Sequence, residues 1–178
     1  MKLHIFGASG SGVTTLGNAL SNKLNMPYFD SDDFFWEKSN PPFTVRRDAG
    51  ERNNLIKTAT AQHKDWIVGG SMINWGDNLL PFDLITFLWI PPDIRIERLK
   101  QREFGRYGDI IVTNPERRKI YNDFIEWATD YDHDTGISTR TLKAHEAWLK
   151  KKSATPIIEI RGNYTTEERI DIIMKHLK

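Results

Sequence analysis

The sequence has no cysteine, so it holds no disulfide framework, no thiolate zinc site and no cysteine nucleophile. It also lacks an excess charge of either sign. Lys and Arg number 25 against 24 Asp and Glu, for a formal net charge of +1. The two signs are interspersed, which argues against a broad nucleic-acid footprint or a docking face for an anionic membrane. No apolar run reaches the length of a bilayer span. The N-terminal segment has no signal-peptide core, because Gly7 to Gly12 interrupts its apolar residues, and the expected compartment is the cytoplasm. Five histidines are present, none at H-E-x-x-H or another ligand spacing, so no histidine metal site is expected. No repeat, low-complexity tract or linker divides the chain, and 178 residues suit a single domain.

What the sequence does have is alternation. Apolar runs predict strands at Lys2–Phe6, Met26–Phe29, Trp66–Val68, Leu84–Ile90 and Ile157–Ile160. Helical periodicity predicts helices at Thr14–Leu24, Asp48–His63, Asp93–Glu103, Pro115–Asp130, Ser138–Lys152 and Thr166–Leu177, the last capped by Thr165 or Thr166. The aromatic, proline-broken stretch Phe34–Thr44 is expected to be irregular, and Gly105 and Gly108 to mark a flexible segment. Strands alternating with helices imply an α/β fold with a parallel sheet covered on both faces. In such sheets ligands bind beyond the carboxyl ends of the strands. That rule brings four segments to one cleft: the turn after the first strand, Asp30 and Asp32 after the second, Gly69-Gly70-Ser71 after the third, and Arg161-Gly162-Asn163 after the last.

The turn after the first strand carries the most chemistry. Gly7-Ala8-Ser9-Gly10-Ser11-Gly12-Val13-Thr14-Thr15 matches the phosphate-loop spacing G-x-x-x-x-G-K-[ST] at Gly7, Gly12 and Thr14, with Val13 where the lysine belongs. Its glycines let backbone N–H groups converge on a polyphosphate, and the following helix aims the positive end of its dipole at the same charge. Val13 reads either as the mark of a protein that has lost catalysis or as a vacancy that another cation fills.

Two further groups surround this loop. Asp30 and Asp32 stand two apart at a strand end, where one can face the phosphates and the other an acceptor; such a carboxylate can hold the water shell of Mg²⁺ or take a proton from an attacking hydroxyl. Asp33 is expected to face solvent or to cap a turn. Arg95, Arg98 and Arg102 share one helix face and lead into Arg106. Arg95 is expected to be a solvated helix charge, the others to form a lid that closes on transferring phosphates, with Arg140 reaching the same place from the far side. Arg46, Arg47 and Arg52 lie near Phe34, Phe35 and Trp36, a combination that suits a planar or anionic acceptor such as a nucleotide base and its phosphate.

With these motifs in this order, the chain resembles the small P-loop kinases of the adenylate kinase and shikimate kinase group, including the adenylate-kinase-related proteins called topology modulators. The resemblance covers almost the whole chain and implies a five-stranded parallel sheet in the order 2-3-1-4-5. It implies an acceptor-binding segment around residues 33–63 and a lid around residues 103–115. It further implies that Thr14 ligates Mg²⁺ with Asp30 near the metal, that Asp32 and Arg52 meet the acceptor, and that Arg102 and Arg106 act from the lid. Arg161 to Asn163 would border the adenine.

Catalytic roles are therefore expected for Asp30, Asp32, Arg102, Arg106 and Arg140. ATP is expected at Gly7, Ser9, Gly10, Ser11, Gly12, Val13, Thr14, Thr15, Arg161 and Asn163, and the acceptor at Asp32, Arg46, Arg52, Gly69 and Gly70. Asp-x-Asp and the double glycine lean toward the shikimate or gluconate kinase side; Phe34-Phe35-Trp36 and Arg46-Arg47 depart from both groups. Two functions stay open. One is an ATP-dependent kinase for a nucleoside monophosphate or small hydroxylated acceptor, with Arg102, Arg106 or Arg140 replacing the lysine. The other is a nucleotide-binding sensor or scaffold without turnover.

Overall fold

The computed structural model describes residues 1–40 and 42–177. Five short runs rich in β-branched and aromatic residues form the strands β1 (Lys2–Gly7), β2 (Tyr28–Asp30), β3 (Trp66–Gly69), β4 (Leu84–Trp89) and β5 (Ile157–Arg161). They make one sheet in the order β2-β3-β1-β4-β5, and every pairing is parallel. β1 lies at the centre, with Leu3 opposite Ile67 on one side and Leu84 on the other.

Alternation along the strands sorts the core into layers. Leu3 and Ile5 of β1 pack with Leu16 and Leu20 of α1 (Val13–Leu24) and Ile173 of α8 (Thr166–His176). Val13 packs against the same cluster. On the opposite face Phe6, Ile85 and Phe87 meet Trp148 and Leu149 of α7 (Leu142–Lys151), while Ile56 of α3 (Ala49–Ala61) packs with Trp66, Val68 and Trp75.

Where structure and pattern differ, local bonding is the reason. A short helix, α2 (Ser31–Phe35), occupies the start of the stretch expected to be irregular, because the Asp30 side chain accepts from Asp32 N–H at 3.0 Å and caps it. Pro41 of that stretch lies outside the described residues. α4 (Pro92–Tyr107) runs through Gly105 and stops at Gly108, whose φ of 61° ends it; α5 (Ile110–Thr113) follows at once. The expected flexible segment is therefore largely helical. α6 (Pro115–His133) continues one turn past Asp130, and α7 starts at Leu142 rather than Ser138. Residues 134–140 are held instead by Asp130, which accepts from the Thr135 hydroxyl and the Thr135 and Ser138 N–H groups. α8 begins as its sequence suggests, with a capping box between Thr165 and Glu168. Among the described residues no helix is long and apolar enough to cross a membrane.

Candidate active site

The turn between β1 and α1 is a glycine-dependent cradle. A side chain at Gly7 would stand 2.4 Å from the Leu88 carbonyl, and Gly10 and Gly12 have φ of 83° and 92°. Ser11 N–H turns back to the Ala8 carbonyl at 3.0 Å. α1 starts with neither a side-chain cap nor an acidic residue in its first turn. Its orphan N–H groups and the positive end of its dipole are left for an anion. The cradle opens onto a cavity of about 620 Å³ whose wall includes Gly7, Ser9, Gly10, Gly12, Val13, Thr14 and Thr15. Ser11 is fully buried beneath it.

Asp30 is fixed from three directions. Thr14 donates its hydroxyl to Oδ2 at 2.9 Å, Tyr28 donates to the same oxygen at 3.2 Å, and Asp32 N–H holds Oδ1. Tyr28 is wedged between Gly17 of α1 and Gly69 of β3; a Cβ on either glycine would lie 2.1 Å from the Tyr28 side chain. Gly69 thus serves Tyr28 and, unlike Gly70, lines neither cavity. The adjacent Thr14 and Asp30 oxygens suit Mg²⁺, which takes few carboxylates and keeps waters and phosphate oxygens. Among the described residues no group of three His, Asp or Glu could hold a metal ion. Asp32 points into the cleft. The surrounding walls, then the Asp30 charge, raise its carboxyl above the usual range, and Arg140 opposes them.

Arginines crowd the same space, in places the sequence pattern did not foretell. Arg95 is not solvated: it is 1% exposed, paired with Asp132 at 2.8 Å, and donates to the Ala128 carbonyl and, at 3.1 Å, to the Ser9 carbonyl of the phosphate loop. Arg169 of α8, a residue the sequence reading passed over, is 4% exposed and donates to the Ser11 carbonyl at 2.8 Å. Arg102 and Arg106 both lie on the cavity wall but share Glu103, at 3.1 and 3.7 Å. Arg98 donates to Asn163 Oδ1 at 2.7 Å, so Asn163 anchors an arginine beside the cavity. Arg161 turns away to Glu159 and Glu146, both at 2.8 Å, and lines neither cavity; Tyr164, Thr165 and Thr166 form that border instead.

A second cavity of about 1030 Å³ adjoins the first. Phe35 is its centre: the guanidinium carbons of Arg140, Arg52 and Arg46 lie 5.1, 5.7 and 5.9 Å from its ring, and Arg52 stacks 4.0 Å over Trp75. Burial and the nearby Arg140 lower the Arg52 pKa, and burial and Arg46 lower that of Arg140. Arg47 is structural, tying the Phe34 and Trp36 carbonyls to Glu51. Behind Gly70, a buried chain links Ser71 to His145 at 2.8 Å and His145 to Tyr131 at 2.9 Å.

Comparison with known proteins agrees with this geometry. No protein-family model matches the chain. A Bacillus subtilis (strain 168) protein, the uncharacterized YqaC, is 39% identical over 177 residues, covering 99% of this chain and 97% of its own. A shikimate kinase of Bacteroides thetaiotaomicron is 32% identical over 111 residues, 56% of this chain and 63% of its own. In structure, the deoxyadenosine kinase of M. mycoides with bound dATP superimposes with a TM-score of 0.60 at 16% identity over 99% of both chains, a likeness of fold. The chain carries the P-loop kinase fold and belongs to the family of Bacillus subtilis YqaC.

Proposed function

We propose that the protein is an ATP-dependent phosphotransferase that passes the γ-phosphoryl group to a small anionic acceptor. One observation carries the reading: Thr14, Asp30, Asp32, Arg102, Arg106 and Arg140 border both cavities. A phosphate loop on one side and an aromatic, cationic pocket on the other share a wall of carboxylates and arginines. That is where transfer between two bound molecules takes place. ATP occupies the cavity of Gly7 to Thr15, with its base toward Tyr164. The acceptor lies on Phe35 and Trp75, its anionic group facing Arg46, Arg52 and Arg140. The volume and aromatic lining suit a nucleoside monophosphate better than a small aliphatic acid. Both the M. mycoides kinase and the shikimate kinase are named for small hydroxylated acceptors.

In the reaction, the acceptor oxygen bonds to the γ-phosphorus as the bond to the β–γ bridging oxygen breaks. A nucleoside monophosphate attacks through an ionised phosphate oxygen and gives up no proton; a hydroxyl acceptor passes its proton to Asp32, whose carboxyl lies in the cleft with its pKa raised by burial and then by the Asp30 charge. Thr14 and Asp30 are the residues that would hold Mg²⁺, which supplies neutralisation of phosphate charge. Arg102, Arg106 and Arg140 stabilise the equatorial oxygens. The chain works as one domain over residues 1–178, with an acceptor segment at 33–63 and a lid at 103–115.

The test is ADP release with Mg²⁺ and ATP over nucleoside monophosphates and small hydroxylated acids. Asp32→Asn should depress turnover with the true acceptor, and Asp30→Asn should weaken every Mg²⁺-dependent step. Val13 favours a second reading, nucleotide binding without turnover. Tight ADP binding with no release across the whole acceptor panel would establish that reading in place of the first.

A further inference from the structure

Arg169 has no counter-charge among the described residues. Its Nη1 donates to the Ser11 carbonyl at 2.8 Å, its Nε is buried with no partner, and among the described residues no carboxylate pairs with it. Burial, and then the charge of another cation, Arg98, lower its pKa. A buried, unpaired guanidinium is costly unless an anion completes it. Arg169 lines the nucleotide cavity. It also stands so close to the loop that a Cβ at Gly12 would lie 2.9 Å from Nη1. Gly12 directly precedes Val13.

We propose that Arg169 is the polyphosphate-recognising cation of this protein, acting through the Ser11–Gly12 peptide in place of the lysine that Val13 displaces. The inference rests on the reading of Gly7–Thr15 as a nucleotide site. A trans peptide sets its C=O and N–H in opposite directions. Binding the Ser11 carbonyl from α8 therefore turns Gly12 N–H to the other side, toward the cradle, and the guanidinium charge polarises that N–H as a donor. Arg95 grips the Ser9–Gly10 peptide in the same way, through the Ser9 carbonyl. Its charge is answered by Asp132, so it braces the loop without adding net charge. Arg102 and Arg106, with Glu103 between them, are partly neutralised too. Among the described residues two arginines donate to carbonyls of the loop, and Arg169 is the one of the two that no carboxylate pairs.

Arg169→Gln isolates the charge, since glutamine keeps a donor for the Ser11 carbonyl, and Arg169→Lys keeps the charge. Binding of ATP, ADP and adenosine to the full chain is measured by calorimetry, with melting curves to verify folding. Arg169→Gln should weaken ATP and ADP by about ten- to a hundredfold and leave adenosine within a factor of about two; Arg169→Lys should recover most of the loss. Val13→Lys should restore ATP binding in the Arg169→Gln background and do little in the wild type. Equal losses for ATP and adenosine, or the same Val13→Lys effect in both backgrounds, would overturn the proposal. Should Arg169→Gln not fold, Arg169→Met, which also removes the charge, with and without Val13→Lys decides by the same non-additivity. Wild-type protein that binds no ADP at millimolar concentration overturns the nucleotide site and this inference together. Intact wild-type binding with no phosphate-dependent loss overturns this inference alone.

Discussion

Lowering the pH from 8 to 5 should strip the protein of much of its stability through two histidines. His4 is fully buried in β1, stacked between Phe6 and Phe82. Its Nε2–H donates to the Gly70 carbonyl at 2.9 Å, and its Nδ1 has no partner to receive a second proton's hydrogen bond. His145 is held between the Ser71 and Tyr131 hydroxyls, with Arg140 near. Burial, only partly offset by the Gly70 bond, lowers His4 to about 4; burial, then Arg140 and His4, lowers His145 to about 3. Both folded values lie below the unfolded one near 6.5. The unfolded chain therefore takes up protons that the native state refuses, and stability falls as pH drops through 6.5. At pH 5 each histidine costs about 2 kcal/mol relative to pH 8, so the pair costs about 4 kcal/mol out of the roughly 5–15 typical of a domain. Urea melts at pH 8, 6 and 5 read this directly as a falling midpoint at constant slope. Nucleotide-free protein is used, so that ligand protonation does not enter. His145→Asn should lower stability at pH 8 but remove about half of the pH dependence. A flat profile from pH 8 to 5, or an undiminished slope in that variant, refutes the assignment of both histidines as neutral.

Arg95→Met should destabilise the fold by about 3–5 kcal/mol, because it strands Asp132 in a buried site; urea denaturation measures it, and a loss under about 1 kcal/mol would show Asp132 to be well solvated. Gly69→Ala drives a methyl to 2.1 Å from the Tyr28 hydroxyl and should cost about 1–3 kcal/mol of stability. Tyr28→Phe in the same chain should return part of that loss, and failure to do so would place the strain elsewhere. The Asp130 carboxyl is depressed to about 2 by the Thr135 hydroxyl and the Ser138 N–H. Its contribution is present above the unfolded carboxylate range and disappears as pH falls toward 2. Asp130→Asn should accordingly raise proteolysis of residues 134–138 at pH 7 and change nothing at pH 2.

The features legible in the sequence were those with a local signature. Apolar runs mark all five strands, and the resemblance to small P-loop kinases, carried by the phosphate loop, Asp-x-Asp and glycine pair, implied the sheet order that the structure shows. What stayed hidden were the residues whose role depends on the far side of a helix. Arg95 shares a spacing with Arg98 and Arg102, which reads as a solvated stripe. It also sits one turn before the buried Leu99, and Arg169 sits one turn before the buried Ile173. A cation at the N-terminal end of an apolar face is the signal that was available, because in an α/β fold that end points at the loops after the strands. Arg161 failed for the opposite reason. Strand alternation alone predicts that it and Glu159 share one side of β5, and the two do pair there. Gly105 misled because glycine in a helix interior only weakens it; the stop comes at Gly108, where φ is positive.

Placing the phosphate cation behind the loop has a consequence for the empty protein. A lysine at position 13 would be solvated until nucleotide arrived and would lose about 2 kcal/mol of rotamer freedom on binding. Arg169 is already held by the Ser11 carbonyl, so that ordering is complete beforehand, and the cost has moved to desolvation of an unpaired charge. Empty protein should then be no less stable, and by about 1 kcal/mol more stable, as Arg169→Gln than as wild type, because the variant removes a buried charge while keeping a donor. With saturating ADP the order should reverse, since tighter binding makes RT ln(1 + [L]/Kd) larger for the wild type than for the variant. Thermal melts of the two proteins with and without ADP decide the matter. If Arg169→Gln is the less stable protein in both conditions by the same margin, the arginine is a brace for α8 and the loop. Crossing of the two curves is the signature of a charge kept for an anion that has yet to bind.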